Sequence, residues 1–229
     1  MRGEGARRAD EEQRLYFICG GASHPALRTT FCPRAGRRVR VAPFYPCQNI
    51  VVHLMTFPLR PFLPTDTIAL ADILREAVYD LASEDYDEDQ RVAWMSTVND
   101  EDAFGQRLAS QLTLVALDAG EPAGFISLRD NAHIDMIYVL PGFAREGAGT
   151  DLIEAIMKIA AARGAETLTA DVSDNAKPFF EAFDFVPEKR NMVMIDEEYL
   201  GNTTMRKALT DKARAAMNAA RDEAMRGKS

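Results

Sequence analysis

The sequence predicts an α/β domain built on a mixed sheet, running from about residue 55 to residue 209. Three observations carry that expectation. Short apolar runs of strand character alternate with segments whose apolar residues recur every three or four positions. The joins between them carry Gly, Pro, Asp and Asn, the residues of tight connections. The composition, 47% hydrophobic and 27% charged over 229 residues, is enough to bury a core.

Leu59–Leu63 reads as a short edge strand, since Pro61 has no N–H for a central ladder. Asp66 is placed to cap a helix whose apolar stripe is Ile68, Leu70, Ile73, Leu74, Val78 and Leu81. A second helical stretch holds Val92, Trp94, Met95, Phe104 and Leu108. Two strands follow, Leu112–Leu117 and Phe125–Leu128, joined by the turn residues Asp118 to Pro122. A third strand, Ile134–Val139, stops before Pro141. The next helix runs from about Gly147 to Arg163, with Leu152, Ile153, Ile156, Ile159 and Ala160 on one side and Gly164 as its stop. Thr167–Val172 is a strand, Ala176–Phe183 a short helix, Phe185–Ile195 a strand, and a last strand lies near Thr203–Leu209. The predicted order is β-α-α-β-β-β-α-β-α-β-β.

The two ends read differently. Residues 1–54 lack sustained periodicity and hold all three cysteines, Cys19, Cys32 and Cys47, with His24 and His53. Their spacings include no C-x-x-C pair, so a zinc site is not expected and no metal is called for. This segment reads as a disordered arm or an over-extended reading frame, with Met55 as the start of the biological chain. Residues 210–229 are Ala-rich, charged and helix-prone, a helical or frayed tail.

Charge excludes some partners. Residues 1–54 carry net +5, which leaves −13 on the rest of a chain whose formal charge is −8. Such an acidic body has no call for nucleic-acid phosphates, although it can steer a cation. No apolar run reaches the length of a membrane span, and Arg7-Arg8 lead into acids rather than the apolar core of a signal peptide. A cytoplasmic protein, free of membrane, is the default expectation, and a homodimer is compatible with it.

The segment richest in chemistry runs from His133 to Thr150: a strand, a glycine-bearing loop and a helix start. That arrangement aims backbone N–H groups and the positive end of a helix dipole at one point, which suits a pyrophosphate. Gly147 and Gly149 let the backbone come close to it. A P-loop is excluded by the lack of a Gly-Lys-Ser/Thr ending, and a dinucleotide fingerprint by the lack of its G-x-G spacing.

Here the chain resembles a known family. Tyr138-Val139-Leu140-Pro141 followed by Gly147-Ala148-Gly149 is similar to the acetyl-CoA signature of the GNAT superfamily. The likeness extends to Leu59-Arg60-Pro61-Phe62 with Asp66, and to Ala176-Lys177-Pro178-Phe179-Phe180-Glu181 with Phe183 and Phe185. Tyr86, Gln90, Ala93 and Trp94, with Met205 to Leu209, look like its YafP-like bacterial branch. The resemblance implies the GNAT (acyl-CoA N-acyltransferase) fold, a mixed, mostly antiparallel sheet flanked by helices. It implies transfer of an acetyl group from acetyl-CoA, as co-substrate, to a primary amine of a small molecule or peptide by direct attack.

The resemblance also implies roles. Backbone groups of Ile137, Tyr138 and Val139 would hold the pantetheine arm, and Ala144, Arg145, Glu146, Gly147, Ala148, Gly149 and Thr150 the diphosphate. Strand alternation puts His133, Asp135 and Ile137 on one face and Ile134, Met136 and Tyr138 on the other. Asp135 and His133 are the expected base or substrate-holding groups. Ser173 either orders a water that protonates the thiolate or caps the following helix. Tyr86 and Trp94 are candidate substrate contacts, with Trp94 also readable as core. Two departures stand out: Ala144 replaces the Gln or Arg that opens the loop, and Phe180 replaces the family's Tyr acid. They motivate a second reading, a non-catalytic acyl-CoA sensor; a third is a transferase of longer acyl groups, which pocket depth beyond Ile137 would decide.

Overall fold

The computed structural model describes residues 28–31, 38–41 and 57–226. The chain divides into two compact units, Met1–Val52 and His53–Ser229. In the first, β1 (Arg28–Phe31) and β2 (Arg38–Val41) pair antiparallel, with Arg28 opposite Val41. These strands depart from the patternless reading of that segment. Cys19, Cys32, Cys47, His24, His53 and Met55 lie outside the described residues.

The second unit is built on a seven-stranded sheet. Its strands are β3 (Leu59–Pro61), β4 (Leu112–Asp118), β5 (Glu121–Arg129), β6 (His133–Val139), β7 (Thr167–Ser173), β8 (Val186–Ile195) and β9 (Glu198–Ala208). Their spatial order is β3-β4-β5-β6-β7-β9-β8. Every neighbouring pair is antiparallel except β6–β7. The helices are α1 (Thr67–Leu81), α2 (Glu88–Ser96), α3 (Glu101–Ala109), α4 (Ala148–Ala162), α5 (Lys177–Ala182) and α6 (Asp211–Arg226). Among them none is long and apolar enough to cross a membrane.

Two apolar layers cover the sheet. On one face α4 buries Leu152, Ile153 and Ile156 completely, against Ile126, Leu128, Ile134 and Leu168. Each such side chain contributes about 1.5–3 kcal/mol. On the other face Leu70, Leu74 and Val78 of α1 and Phe104 and Leu108 of α3 pack on Val115, Phe125 and Met136. The left-handed residues Gly147 (φ 105°) and Gly164 (φ 85°) bracket α4, as their glycines lead one to expect.

Several elements differ from the sequence reading. The second helical stretch is two helices, because Asp100 accepts from Ala103 N at 2.9 Å and starts α3 afresh. Asp87 and Gln90 form a reciprocal capping box that starts α2. Asp66 stands at the start of α1 without capping it: its carboxylate is taken up by Arg60, at 2.6 and 2.9 Å, and by Leu63 N. The β4–β5 connection shrinks to Ala119-Gly120, both with positive φ, so Pro122 joins the strand. Likewise Asp196-Glu197 close a tight β8–β9 hairpin, and β9 begins five residues before Thr203.

The largest departure is in β6. Ser127 faces Met136 but Leu128 faces Ile134, so β6 carries one extra residue, a bulge at Asp135. Beyond it the alternation reverses. Ile134, Ile137 and Val139 pack with the α4 layer, while Met136 and Tyr138 pack with the α1 layer. His133 and Asp135 also point to the α1–α3 side, through Thr169 and Arg107. The expected grouping of Ile137 with His133 and Asp135 is therefore overturned.

Gly124 fixes how closely β5 meets β6. A Cβ there would stand 2.9 Å from Tyr138 O and 3.2 Å from Val139 Cα, both backbone. Gly124→Ala should cost about 1–3 kcal/mol through this overpacking, read as a lower urea midpoint at unchanged m-value.

Candidate active site

β6 and β7 pair only at His133–Thr169 and Ile134–Ala170, and then part. The Leu140 N–H donates to Ala123 O in β5 at 2.9 Å. Strand geometry then points the N–H groups of Ile137 and Val139 away from β5, into the gap.

A cavity of about 680 Å³ opens along that gap. Ile137, Tyr138, Val139, Ala144, Arg145, Glu146, Gly147, Gly149 and Thr150 line it, as the resemblance implied. Ala148 does not: its side chain is wholly buried in the core, so only its backbone is available. No side chain caps α4, which leaves the N–H groups of its first turn for a ligand. A Cβ on Gly149 would meet the Phe179 ring at 3.3 Å, so glycine also seats α5 there. The sequence reading missed the opposite wall, Ala77, Val78, Leu81 and Ala82 on and just after α1. The stripe of α1 was visible, but not that part of it faces a cavity.

A second cavity, about 250 Å³, lies on the α1–α3 side of the sheet. The two share Trp94, Ile137, Tyr138, Ser173 and Ala176 as lining. Trp94 is thus wall to both, and its Nε1 donates to Tyr138 Oη at 3.1 Å. Burial pushes the Tyr138 phenol up to about 12. Tyr86 lines the second cavity but is fully engaged: its hydroxyl donates to Gly201 O at 2.5 Å and accepts from Asp174 N at 3.0 Å. It ties the α1–α2 loop to the ends of β7 and β9, and burial raises its pKa.

Asp135 does not stand ready as a base. Its side chain is 5% exposed. One oxygen accepts from Arg107 Nε and Gln111 Nε2, both at 2.8 Å, and the other from Arg129 Nη1 at 3.2 Å. Burial pulls its pKa upward, but the Arg107 and Gln111 hydrogen bonds, helped by the charges of both arginines, win and hold it below the ordinary carboxylate range. The partners come from α3, the α3–β4 link and β5, and only the bulge brings the carboxylate to them.

His133 stands behind the second cavity. Its Nδ1 is 3.0 Å from Thr169 Oγ1, and its Nε2 is 4.0 Å from Asp171 Oδ2. Burial, and then the Arg129 charge, hold the imidazole below its usual pKa against the pull of nearby aspartates. Ser173 sits at the junction of the cavities and donates to Asn175 Oδ1 at 2.7 Å. It does not cap α5, whose first turn has no side-chain cap. Phe180 is buried against Phe179 and Phe185. Among the described residues no three His, Cys, Asp or Glu side chains are grouped as a metal site.

Comparison with known proteins places this geometry. The model of a family described as an acetyltransferase (GNAT) domain matches residues 82–209. The chain belongs to the GNAT acetyltransferase family. It is 34% identical over 148 residues to YafP of Escherichia coli (strain K12), described as an uncharacterised N-acetyltransferase, covering 65% of this chain and 93% of that one. It is 47% identical to a solved GCN5-related N-acetyltransferase of Rhodopseudomonas palustris, also described as "Aminotransferase, Class-II", with a TM-score of 0.66 over 68% of this chain and 98% of the other. PaiA N-acetyltransferase of Thermoplasma acidophilum, solved with coenzyme A, shares the fold at 18% identity and a TM-score of 0.56, over 67% and 99% of the two chains. This GNAT chain is an N-acetyltransferase, and so a transferase enzyme.

Two outcomes follow from the charges. Asp135→Asn should cost about 1–2 kcal/mol of stability, since it strands two half-exposed arginines, while turnover changes by less than about tenfold. Loss of a true base would cost about 10²–10⁴-fold, so a steady-state assay separates the roles. For His133 the unfolded imidazole takes up its proton at higher pH than the folded one. Its stabilisation is complete above about 6.5 and is lost as pH falls towards the folded value. Thermal melts from about pH 7 to 5 should therefore fall less steeply in His133→Asn than in the parent.

Proposed function

We propose that the enzyme moves an acetyl group from acetyl-CoA to a primary amine by direct attack, with the two cavities as cofactor and acceptor sites. The observation that carries this is their meeting at Ile137, Tyr138 and Ser173, where the strands part. A coenzyme A complex of a protein of this fold supports the choice of co-substrate. So does the fit. The larger cavity lies within the usual range of about 300–1,000 Å³ for ligand sites. Its α1 wall is apolar, as the pantetheine arm requires, and its α4 end offers unpaired N–H groups to a diphosphate. Acetyl-CoA supplies an activated acyl carbon and a thiolate leaving group.

The remaining chemistry falls to the chain. The Ile137 and Val139 N–H groups face the gap, where a donor to the developing oxyanion contributes about 3–4 kcal/mol. Arg145 brings the loop a positive charge in place of the residue lost at Ala144, although Glu146 beside it partly offsets this. Asp135 positions Arg107, which lines the acceptor cavity. Phe180 has no proton to give, and the Tyr138 hydroxyl lies under Trp94, accepting from its Nε1. Ser173, steered by Asn175, is the group at the junction that can order a proton-delivering water. We place the catalytic domain at residues 55–209, with residues 210–229 outside the chemistry and the protein in the cytoplasm.

Calorimetry tests the reading. Acetyl-CoA should bind the parent chain, and Gly147→Trp, forced to φ 105° at the helix start, should weaken binding by at least about tenfold. Thioester turnover over a panel of polyamines, aminoglycosides, amino acids and peptide N-termini should release CoA with at least one class. Coenzyme A binding without turnover on any amine would instead favour a sensor, and a preference for longer thioesters a different acyl group.

A further inference from the structure

With Asp135 committed to two arginines, the acceptor cavity contains one other carboxylate, that of Asp171. We propose that Asp171 holds the acceptor's ammonium group and takes its proton, an inference that rests on the acetyl-transfer reading of this site. Strand alternation sets Leu168, Ala170 and Val172 into the α4 layer, so Thr169, Asp171 and Ser173 look into the opposite face, where the acceptor cavity lies. Asp171 is 48% exposed, so a substrate can reach it. Ser173, at the junction of the two cavities, follows it by two residues on the same face, about 7 Å along the strand. An ammonium nitrogen about 3 Å from the carboxylate therefore stands between Asp171 and the place where the acyl carbon is presented.

The carboxylate is held but not neutralised. Its Oδ1 accepts from Thr204 Oγ1 at 2.6 Å, and Thr204 in turn accepts from Asn191 Nδ2 at 2.8 Å. These neutral donors from β9 and β8 fix its direction. Its one basic neighbour within ion-pair distance, among the described residues, is His133 at 4.0 Å. Burial and Arg129 disfavour the charged imidazole, so the negative charge of Asp171 is left for the acceptor. Asp135 offers the contrast, with two guanidinium groups already on it. His133 is a positioning residue in this arrangement, set behind the carboxylate and oriented by Thr169.

The step balances. One N–H of the ammonium transfers its proton to the Asp171 carboxylate, and the nitrogen lone pair forms the new bond to the acetyl carbon. The carbon–sulfur bond breaks, and the thiolate takes a proton from water at Ser173. The hydroxide so formed removes the second proton from the now cationic nitrogen to leave the neutral amide, and Asp171 returns its proton to solvent. The acceptor class that fits is a primary alkylamine, charged near neutral pH. An arylamine, already neutral there, needs no such base.

The test measures CoA release near neutral pH with 1,4-diaminobutane, L-lysine, a free peptide N-terminus and aniline. It compares the parent chain with Asp171→Asn and Asp171→Glu. Asp171→Asn should lose about 10²–10³-fold in kcat/KM on the alkylamines, with acetyl-CoA binding heat unchanged, and Asp171→Glu should recover part of the loss. Any aniline turnover should fall by less than about tenfold. Should Asp171→Asn fail to fold, Asp171→Ser takes its place, as a small neutral residue on a half-exposed strand. Equal alkylamine rates in parent and neutral variant overturn the assignment, as does an equal loss on aniline or no recovery with Glu. If the parent releases no CoA with any amine, acetyl transfer itself falls and this inference with it.

Discussion

β6 and β7 are parallel neighbours that pair for only two residues, and the site exists because they separate after Ile134 and Ala170. A central strand normally satisfies both of its edges. Here the β5 side of β6 is satisfied, while the Ile137 and Val139 N–H groups look into a gap. The parting is not a defect of a weak strand. It is enforced on one flank by Gly124, which lets β5 hold β6 close, and on the other by the pairing of β7 with β9 over seven residues. The wedge between them then opens to both faces of the sheet. That is why one cavity meets α4 and the other meets the polar face of β7.

The bulge at Asp135 is what turns this wedge into a chemical site. Without the extra residue, Ile137 would share a face with His133, and Tyr138 would point at α4. With it, the apolar Ile137 and Val139 side chains join the α4 core, and Tyr138 comes under Trp94 on the acceptor side. The same bulge hands Asp135 to Arg107 and Arg129. A buried charge left alone is costly, so the two interactions form one unit: the bulge is tolerable because the carboxylate it turns inward is met by guanidinium groups.

Much of this was legible beforehand and some of it was not, for physical reasons. The α4 helix, its glycine brackets and the loop before it carry their signals within twenty residues, and the structure places them as read. The split of the second helical stretch was also written locally, in Asp100 with acids behind it, a start signal outweighed by the apolar period on either side. The bulge had no local mark: His133 to Val139 alternates plausibly in either register, and the choice is made by pairing with β5. Nor does sequence give the partners of Asp135, which lie 28, 24 and 6 residues away. Asp171 was readable in principle, since Thr169, Asp171 and Ser173 alternate with buried residues. Nothing adjacent to it marks it as a site residue, because the signature residues lie on β6 and the loop that follows it.

The replacement of the family's Tyr by Phe180 acquires a different weight in this setting. Phe180 packs in a cluster with Phe179, Phe183 and Phe185, and it lines the smaller cavity without bringing a hydroxyl to it. On the proposed reading the polar duties fall to β7, where Ser173 and Asp171 lie on one face of a strand whose other face is core. Both residues are rigidly held, by Asn175 and Thr204, and both are open to the cavity. Proton uptake from the amine and proton delivery to the thiolate thus belong, on this proposal, to two neighbours on one strand, about 7 Å apart, on either side of the bond that would react.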